Sequence, residues 1–134
     1  MEPLIIKDED LTLAVIIKNS DFKEGLNFFS QDNDFVQVGT WHYQTGQILK
    51  AHNHLIVERK VNRTQEVLFV KSGKLRADFY SEDDKLIKSE ILNQGDLVIV
   101  LAGGHGYEIL EDDTQVLEVK NGPYLGVEKD KRLI

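Results

Sequence analysis

Residues 66–80 read EVLFVKSGKLRADFY, and this stretch decides the fold class. Alternate positions of its second half are apolar, at Leu75, Ala77 and Phe79. A period of two is typical of an antiparallel strand with one buried face. The first half, EVLFVK, is another apolar run, and Ser72-Gly73 between them has the turn residues of a β-hairpin. We therefore expect two antiparallel strands joined at Ser72-Gly73.

Comparable short runs continue along the chain in both directions, and each is bounded by Gly, Asn, Asp or Ser. Such runs predict an all-β sandwich or barrel. Only residues 21–30 could form a helical turn, and Gly25 within them disfavours it. The expected strands cover residues 11–18, 34–43, 47–57, 66–71, 74–80, 85–92, 97–101, 106–110 and 115–120.

The composition excludes several classes of protein. The chain has 134 residues, a net charge of −7 and no cysteine. An acidic chain is a poor ligand for nucleic acid, which requires a basic face. The start of the chain lacks the pattern of a signal peptide, and no apolar stretch is long enough to cross a membrane. We expect one domain over residues 1–134, located in the cytoplasm.

Three of the four histidines occur where they could share a metal ion. His52 and His54 form an H-x-H pair, which on one strand directs both imidazoles to the same face. Glu66 begins the predicted strand 66–71, and His105 lies in the strand-like stretch LAGGHGYEIL, directly before the predicted strand 106–110. If these faces meet inside a barrel, the four side chains can hold divalent Mn, Fe, Co, Ni or Zn. The alternative is that the histidines face solvent and Glu66 is an ordinary carboxylate.

These motifs resemble those of the cupin superfamily. Gly46 precedes His52 with five residues between, and Glu66 precedes Gly73 with six between. Gly95-Asp96 opens a second motif, and His105 supplies its histidine. The resemblance covers roughly residues 46–110, and it implies an antiparallel jelly-roll barrel of about 9–10 strands. The chain departs from the family in having Leu101 at the position of a proline, and a Gly-to-His spacing that is one residue shorter.

The carboxylate ligand has a rival candidate. Eleven residues separate His54 from Glu66, whereas the family has its glutamate three or four residues after the second histidine. Glu58 keeps that distance, but no glycine follows it at the family's spacing. We favour Glu66 because it begins an apolar strand that ends at the Gly73 turn. Gln65 is a further candidate, whose neutral amide would bind a metal more weakly.

Other polar residues have two interpretations each. His42 is a general base or hydrogen-bond donor beside the metal, or an ordinary strand residue. Tyr107 shares the face of His105, so it either donates its hydroxyl to a ligand or fills the barrel. Arg59, Lys60 and Arg63 either attract an anionic molecule or protect an exposed strand edge from aggregation.

The preferred function is a metal-binding barrel that acts on a small molecule, and Arg59, Lys60 and Arg63 would suit an anionic one. The resemblance also implies metal-independent sugar-nucleotide isomerases or epimerases, in which His52 or His54 would be the base and Tyr107 the acid. A small-molecule binding or sensing module is the third possibility. We also expect a homodimer, because Val67 and Phe69 face away from Glu66 and form an outer apolar surface.

Overall fold

The computed structural model describes residues 2–134, and its regular structure is almost entirely antiparallel β. A short 3-10 helix (Asn19–Asp21) follows the second strand, and one turn of α-helix, α1 (Val127–Asp130), follows the last strand. The ten strands are β1 (Leu4–Asp8), β2 (Leu11–Ile17), β3 (Gly25–Phe28), β4 (Gly39–His42), β5 (Glu66–Ser72), β6 (Lys74–Tyr80), β7 (Leu86–Asn93), β8 (Leu97–Val100), β9 (Gly104–Ile109) and β10 (Gln115–Lys120).

The strands form two facing sheets and a separate hairpin. The large sheet has the order β1-β2-β8-β5-β10, the small sheet has the order β7-β6-β9, and β3 pairs only with β4. One buried cluster takes side chains from both sheets, among them Leu13, Val70 and Val98 from the large sheet and Phe79 and Leu92 from the small one. The all-β prediction is therefore confirmed. Over residues 2–134 the sheets remain open and do not close into one barrel.

The hairpin predicted at Ser72-Gly73 is wrong, because the chain crosses there from one sheet to the other. β5 pairs with β8 and β10, whereas β6 pairs with β7 and β9. Gly73 has a φ of 90°, and a Cβ added there would overlap Thr114. Gly73 thus allows a sharp change of direction at a close contact rather than a two-residue turn. The hairpin partner of β6 is β7.

The strand predicted at 47–57 is also absent, and residues 43–65 have no regular structure. A run of apolar residues forms a strand only where a neighbouring edge accepts its hydrogen bonds, and none does so in this arrangement. Two nearby segments differ from expectation as well. Only Gly39–His42 of the predicted strand 34–43 is extended, and residues 25–28 form β3 instead of a helical turn.

The outer face of the large sheet is covered only in part. Val15, Ile17 and Ile99 are buried there beneath Phe29 and Val38. Towards the β10 edge the cover ends, and four apolar side chains form two cross-strand pairs, Val67 with Val119 and Phe69 with Leu117. Val67 and Phe69 are half-buried, while Leu117 and Val119 are exposed.

The turn before β8 is held by a buried carboxylate. Asp96 accepts hydrogen bonds from the backbone N–H groups of Asn19 and Asn93, both at 2.8 Å, and from Lys18 Nζ at 3.2 Å. This network ties the end of β2 to the β7–β8 turn. Asp96 was noted in the sequence as part of the second motif, and its role is structural.

No helix among residues 2–134 is long and apolar enough to cross a membrane.

Candidate functional site

A carboxylate, an imidazole and a phenol meet where β5 faces β9. Glu66 Oε1 lies 2.9 Å from His105 Nε2 and 3.4 Å from the Tyr107 hydroxyl, which donates to it. Glu66 shares the inward face of β5 with Leu68 and Val70. His105 and Tyr107 share the inward face of β9, since they lie opposite the buried side chains of β6. The alternation of both strands thus points all three side chains between the sheets.

The surroundings of Glu66 and Tyr107 shift their pKa values in opposite directions. Burial by itself would raise the pKa of Glu66, but the hydrogen bond and charge of His105, with Lys120 and Tyr107 adding to them, lower the net pKa below its ordinary value. Burial and the negative charge of Glu66 raise the pKa of Tyr107 well above its ordinary value. At neutral pH Glu66 is therefore an ionised acceptor and Tyr107 a neutral hydrogen-bond donor.

His105 has two distinct ring nitrogens in this site. Nε2 contacts Glu66, whereas Nδ1 is buried and has no hydrogen-bond partner among the described residues. About a third of the side chain (30%) remains exposed. The ring is thus anchored by one nitrogen while part of its edge stays open to the space between the sheets.

That space is an open cavity of about 1270 Å³, bordered by Glu66, His105 and Tyr107. Basic side chains also line it, and several of them are already paired with acids. Lys120 lies opposite Glu66 in the β5–β10 register and contacts Glu118 at 2.9 Å, which raises the pKa of the Lys120 ammonium. The other basic residues at the cavity are Arg59, Arg63, Lys129, Lys131 and Arg132.

The C-terminal residues form one wall of this cavity. Arg132 makes two hydrogen bonds to the Asp84 carboxylate, at 2.7 and 2.9 Å, and these lower the pKa of Asp84. Thr64 donates to Asp130 Oδ1 at 2.5 Å, and Ile134 packs against Gly104, the first residue of β9. These contacts hold the tail beside the site. No sequence motif indicated this wall, because each contact joins residues that are far apart along the chain.

The predicted metal ligands lie in two separate pairs. Glu66 and His105 are together, but His52 and His54 lie in the exposed segment that has no strand. Their rings are neighbours, with centroids 5.0 Å apart, and His52 Nδ1 donates to the Lys50 carbonyl at 3.0 Å. Within residues 2–134, no three His, Asp or Glu side chains converge on one point. As arranged, the four side chains do not form a metal site.

The remaining candidates also have definite positions. His42 is exposed at the end of β4. Glu58 and Lys60 lie in the same exposed segment as the H-x-H pair. Gln65 is buried, and its side chain accepts from the Phe35 and Val36 N–H groups and donates to the Leu101 carbonyl. Its amide therefore holds backbone in place and is not free to bind a ligand.

Lys120 was missed in the sequence although a signal for it existed. It is the last residue of the predicted strand 115–120, and counting back from a β5–β10 pairing would have aligned it with Glu66. That pairing was not predicted.

Comparison with known proteins adds no assignment, since no family model, curated protein or solved structure matches the chain. The interpretation of this site therefore rests on its geometry.

Proposed function

We propose that the cavity binds a small polar molecule and that Glu66 and His105 act on it as an acid–base pair. The observation that carries this proposal is the 2.9 Å contact between a carboxylate that is 5% exposed and an imidazole that borders a cavity. Buried, mutually interacting titratable groups in a cleft are typical of sites that transfer protons. This proposal corresponds to the metal-independent alternative, with His105 in place of His52 or His54.

The geometry assigns a role to each group. Because His105 Nδ1 is buried, Nε2 and the Glu66 carboxylate are the atoms left to exchange a proton with a ligand. Tyr107 remains neutral, and its single hydroxyl hydrogen, which is directed to Glu66 across 3.4 Å, can turn to a ligand oxygen instead. Six basic side chains line the cavity against five acidic ones, and this slight excess of positive charge suits a ligand with one negative group, such as a sugar phosphate or a sugar acid.

Proton transfer next to a carbonyl can be detected without knowing the product. A panel of aldoses, sugar phosphates and nucleotide sugars in deuterated water would be followed by NMR for exchange of carbon-bound hydrogen. We expect exchange with at least one member, and a loss of about 100-fold or more in Glu66→Gln and in His105→Gln. His42→Gln is the matched control, because His42 lies outside the cavity. Equal exchange rates in all four proteins would exclude the acid–base pair.

A divalent metal centre is the second candidate, and one distance is compatible with it. Two ligand atoms that each lie about 2.1 Å from one ion, at a right angle, are about 3.0 Å apart. The Glu66 Oε1 to His105 Nε2 distance is 2.9 Å. His52 and His54 are the side chains that would complete the set, and both are exposed. Elemental analysis of the purified protein tests this function. Equal metal content in the wild type and in His52→Ala/His105→Ala would end it.

Both candidates are compatible with the cupin-like jelly roll that the motifs resemble. The chain passes between the large and small sheets at four of its five connections from β5 to β10, all except that from β6 to β7. Such repeated crossing between two antiparallel sheets supports a jelly roll. The open edges of β9 and β10 are the places where its missing strands would be added. Hydrogen exchange that protects residues 47–57 would support this fold.

A further inference from the structure

Residues 47–57, here called the apolar segment, expose large aliphatic side chains to solvent. Ile48 is 79% exposed, Leu55 is 83% exposed, and Ile56 is fully exposed. Leu49 and Val57 are exposed as well. Scattered exposed aliphatic residues are ordinary, but five within eleven positions form a surface that water solvates poorly. The segment was predicted to be a strand, but its backbone has no strand partner.

The charge of this region is opposite to that of the rest of the protein. Residues 47–63 contain four basic side chains and one acidic one, which gives a net charge of +3. The whole chain has a net charge of −7, so the other residues together carry −10. An acidic surface is thus the complement of the apolar segment and its basic flank, and the protein itself provides such a surface.

The free edge of β9 has the properties of a recipient. β9 pairs with β6 on one side only, so its other edge has unpaired backbone groups. Ile109, on the inward face of this strand, is 57% exposed because no strand covers it. Acidic residues lie on this strand and in the turn that follows it: Glu108, Glu111, Asp112 and Asp113. Glu108 is paired with Arg76 and Glu111 with Lys74, so Asp112 and Asp113 contribute most of the uncompensated negative charge.

We propose that the apolar segment of one copy adds as a strand to the β9 edge of a second copy, and that the exchange is reciprocal. None of residues 47–57 lines the cavity beside its own β9, whereas Arg59 and Arg63 do. A second copy offers the same free edge and the same acidic turn. The exchange buries aliphatic side chains of the apolar segment, pairs its backbone with the β9 edge, and brings the basic flank next to the acidic turn. Each dimer contains two such contacts. This inference does not depend on the proposed proton transfer.

Charge reversal distinguishes exchange between copies from docking within one chain. The segment variant is Arg59→Glu/Lys60→Glu, and the turn variant is Glu111→Lys/Asp112→Lys. Each alone opposes like charges, so we expect its dimer to dissociate at least about tenfold more readily than the wild type in sedimentation experiments. Mixed together, the two variants should form a heterodimer of near wild-type affinity, because both contacts again join opposite charges. Recovery in the mixture also excludes misfolding as the cause of dissociation.

Controls use the opposite edge of the small sheet. Lys85→Glu/Lys88→Glu changes charge equally at the β6–β7 turn and β7, and should leave the dimer intact. Ile56→Lys should dissociate it, whereas Leu86→Lys, at a residue 58% exposed on β7, should not. A monomeric wild type at micromolar concentration, single variants that dimerise as tightly as the wild type, or a mixture that stays monomeric would each overturn the proposal. A monomer that co-sediments with phosphatidylserine vesicles would assign the segment to an anionic membrane surface instead.

Discussion

Replacing Asp96 with alanine should cost about 3 kcal/mol of stability. The substitution leaves two backbone N–H groups, those of Asn19 and Asn93, without the carboxylate that each contacts at 2.8 Å. Loss of a buried acceptor costs about 1–3 kcal/mol per donor, which sums to about 2–6 kcal/mol. Both donors are only partly buried, so the lower half of this range applies. The Lys18 ion pair adds little, because the Lys18 side chain is one-third exposed.

Urea unfolding at 25 °C and pH 7 measures this effect. We expect the midpoint to fall with little change in the denaturant slope, since the surface exposed on unfolding is unchanged. Asp96→Asn keeps one acceptor oxygen and should lose about half as much as Asp96→Ala. Asp78→Ala is the matched control. The partners of Asp78 are the side chains of Arg76 and Ser89, which can turn to water, so its loss should stay within about 1 kcal/mol. Equal losses in Asp96→Ala and Asp78→Ala would refute the reasoning.

Three further predictions concern the site and the crossing between sheets. For the divalent metal centre, the second candidate function, Glu66→Gln should lower metal affinity about tenfold or more, and Glu58→Gln should leave it nearly unchanged. A metal titration that ranks them in reverse would place the ligand in the exposed segment. The pKa of Glu66 is lower in the folded protein than in the unfolded chain, so ionised Glu66 stabilises the fold at pH values above the unfolded pKa. This stabilisation is lost as the pH falls through the lower pKa of the folded state. Melting temperatures from pH 7 to 3 should therefore fall less steeply in Glu66→Gln than in the wild type. Gly73→Ala should lower the free energy of unfolding by at least about 2 kcal/mol, because it combines a strained φ with overlap on Thr114. Gly46 has a similar φ but open space around it, so Gly46→Ala should cost about 1 kcal/mol. Equal unfolding midpoints for the two variants would contradict this.

Strand parity made part of the site predictable from the sequence. Alternation along 66–80 predicted the face of Glu66, and the H-G-Y spacing predicted that His105 and Tyr107 share one face, because side chains two positions apart on a strand point the same way. The all-β class followed from the same period and is confirmed. Alternation does not say which strands become neighbours, however. The approach of β5 to β9 depends on the crossing at Gly73, where the sequence pattern instead favoured a hairpin.

The predicted strand at 47–57 fails for a different physical reason. Periodicity describes the side chains, but a strand also needs an edge to accept its backbone hydrogen bonds. Nothing in the residues themselves states whether such an edge is within reach, so His52 and His54 could not be positioned from their spacing. Asp96 is a similar case. Its donors include the backbone of Asn19, 77 positions away, and no local motif indicates that contact.

The wall formed by the C-terminal residues determines where the protein can be labelled. Ile134 packs against Gly104, one residue before His105, so any residues appended after Ile134 would begin at the cavity. The imidazoles of a hexahistidine purification tag there would bind the same divalent metal ions as the proposed centre at Glu66 and His105. Metal bound by such a fusion would report the tag as much as the protein. With a tag placed ahead of β1, or removed by protease, the measured metal content reflects only the protein's own side chains.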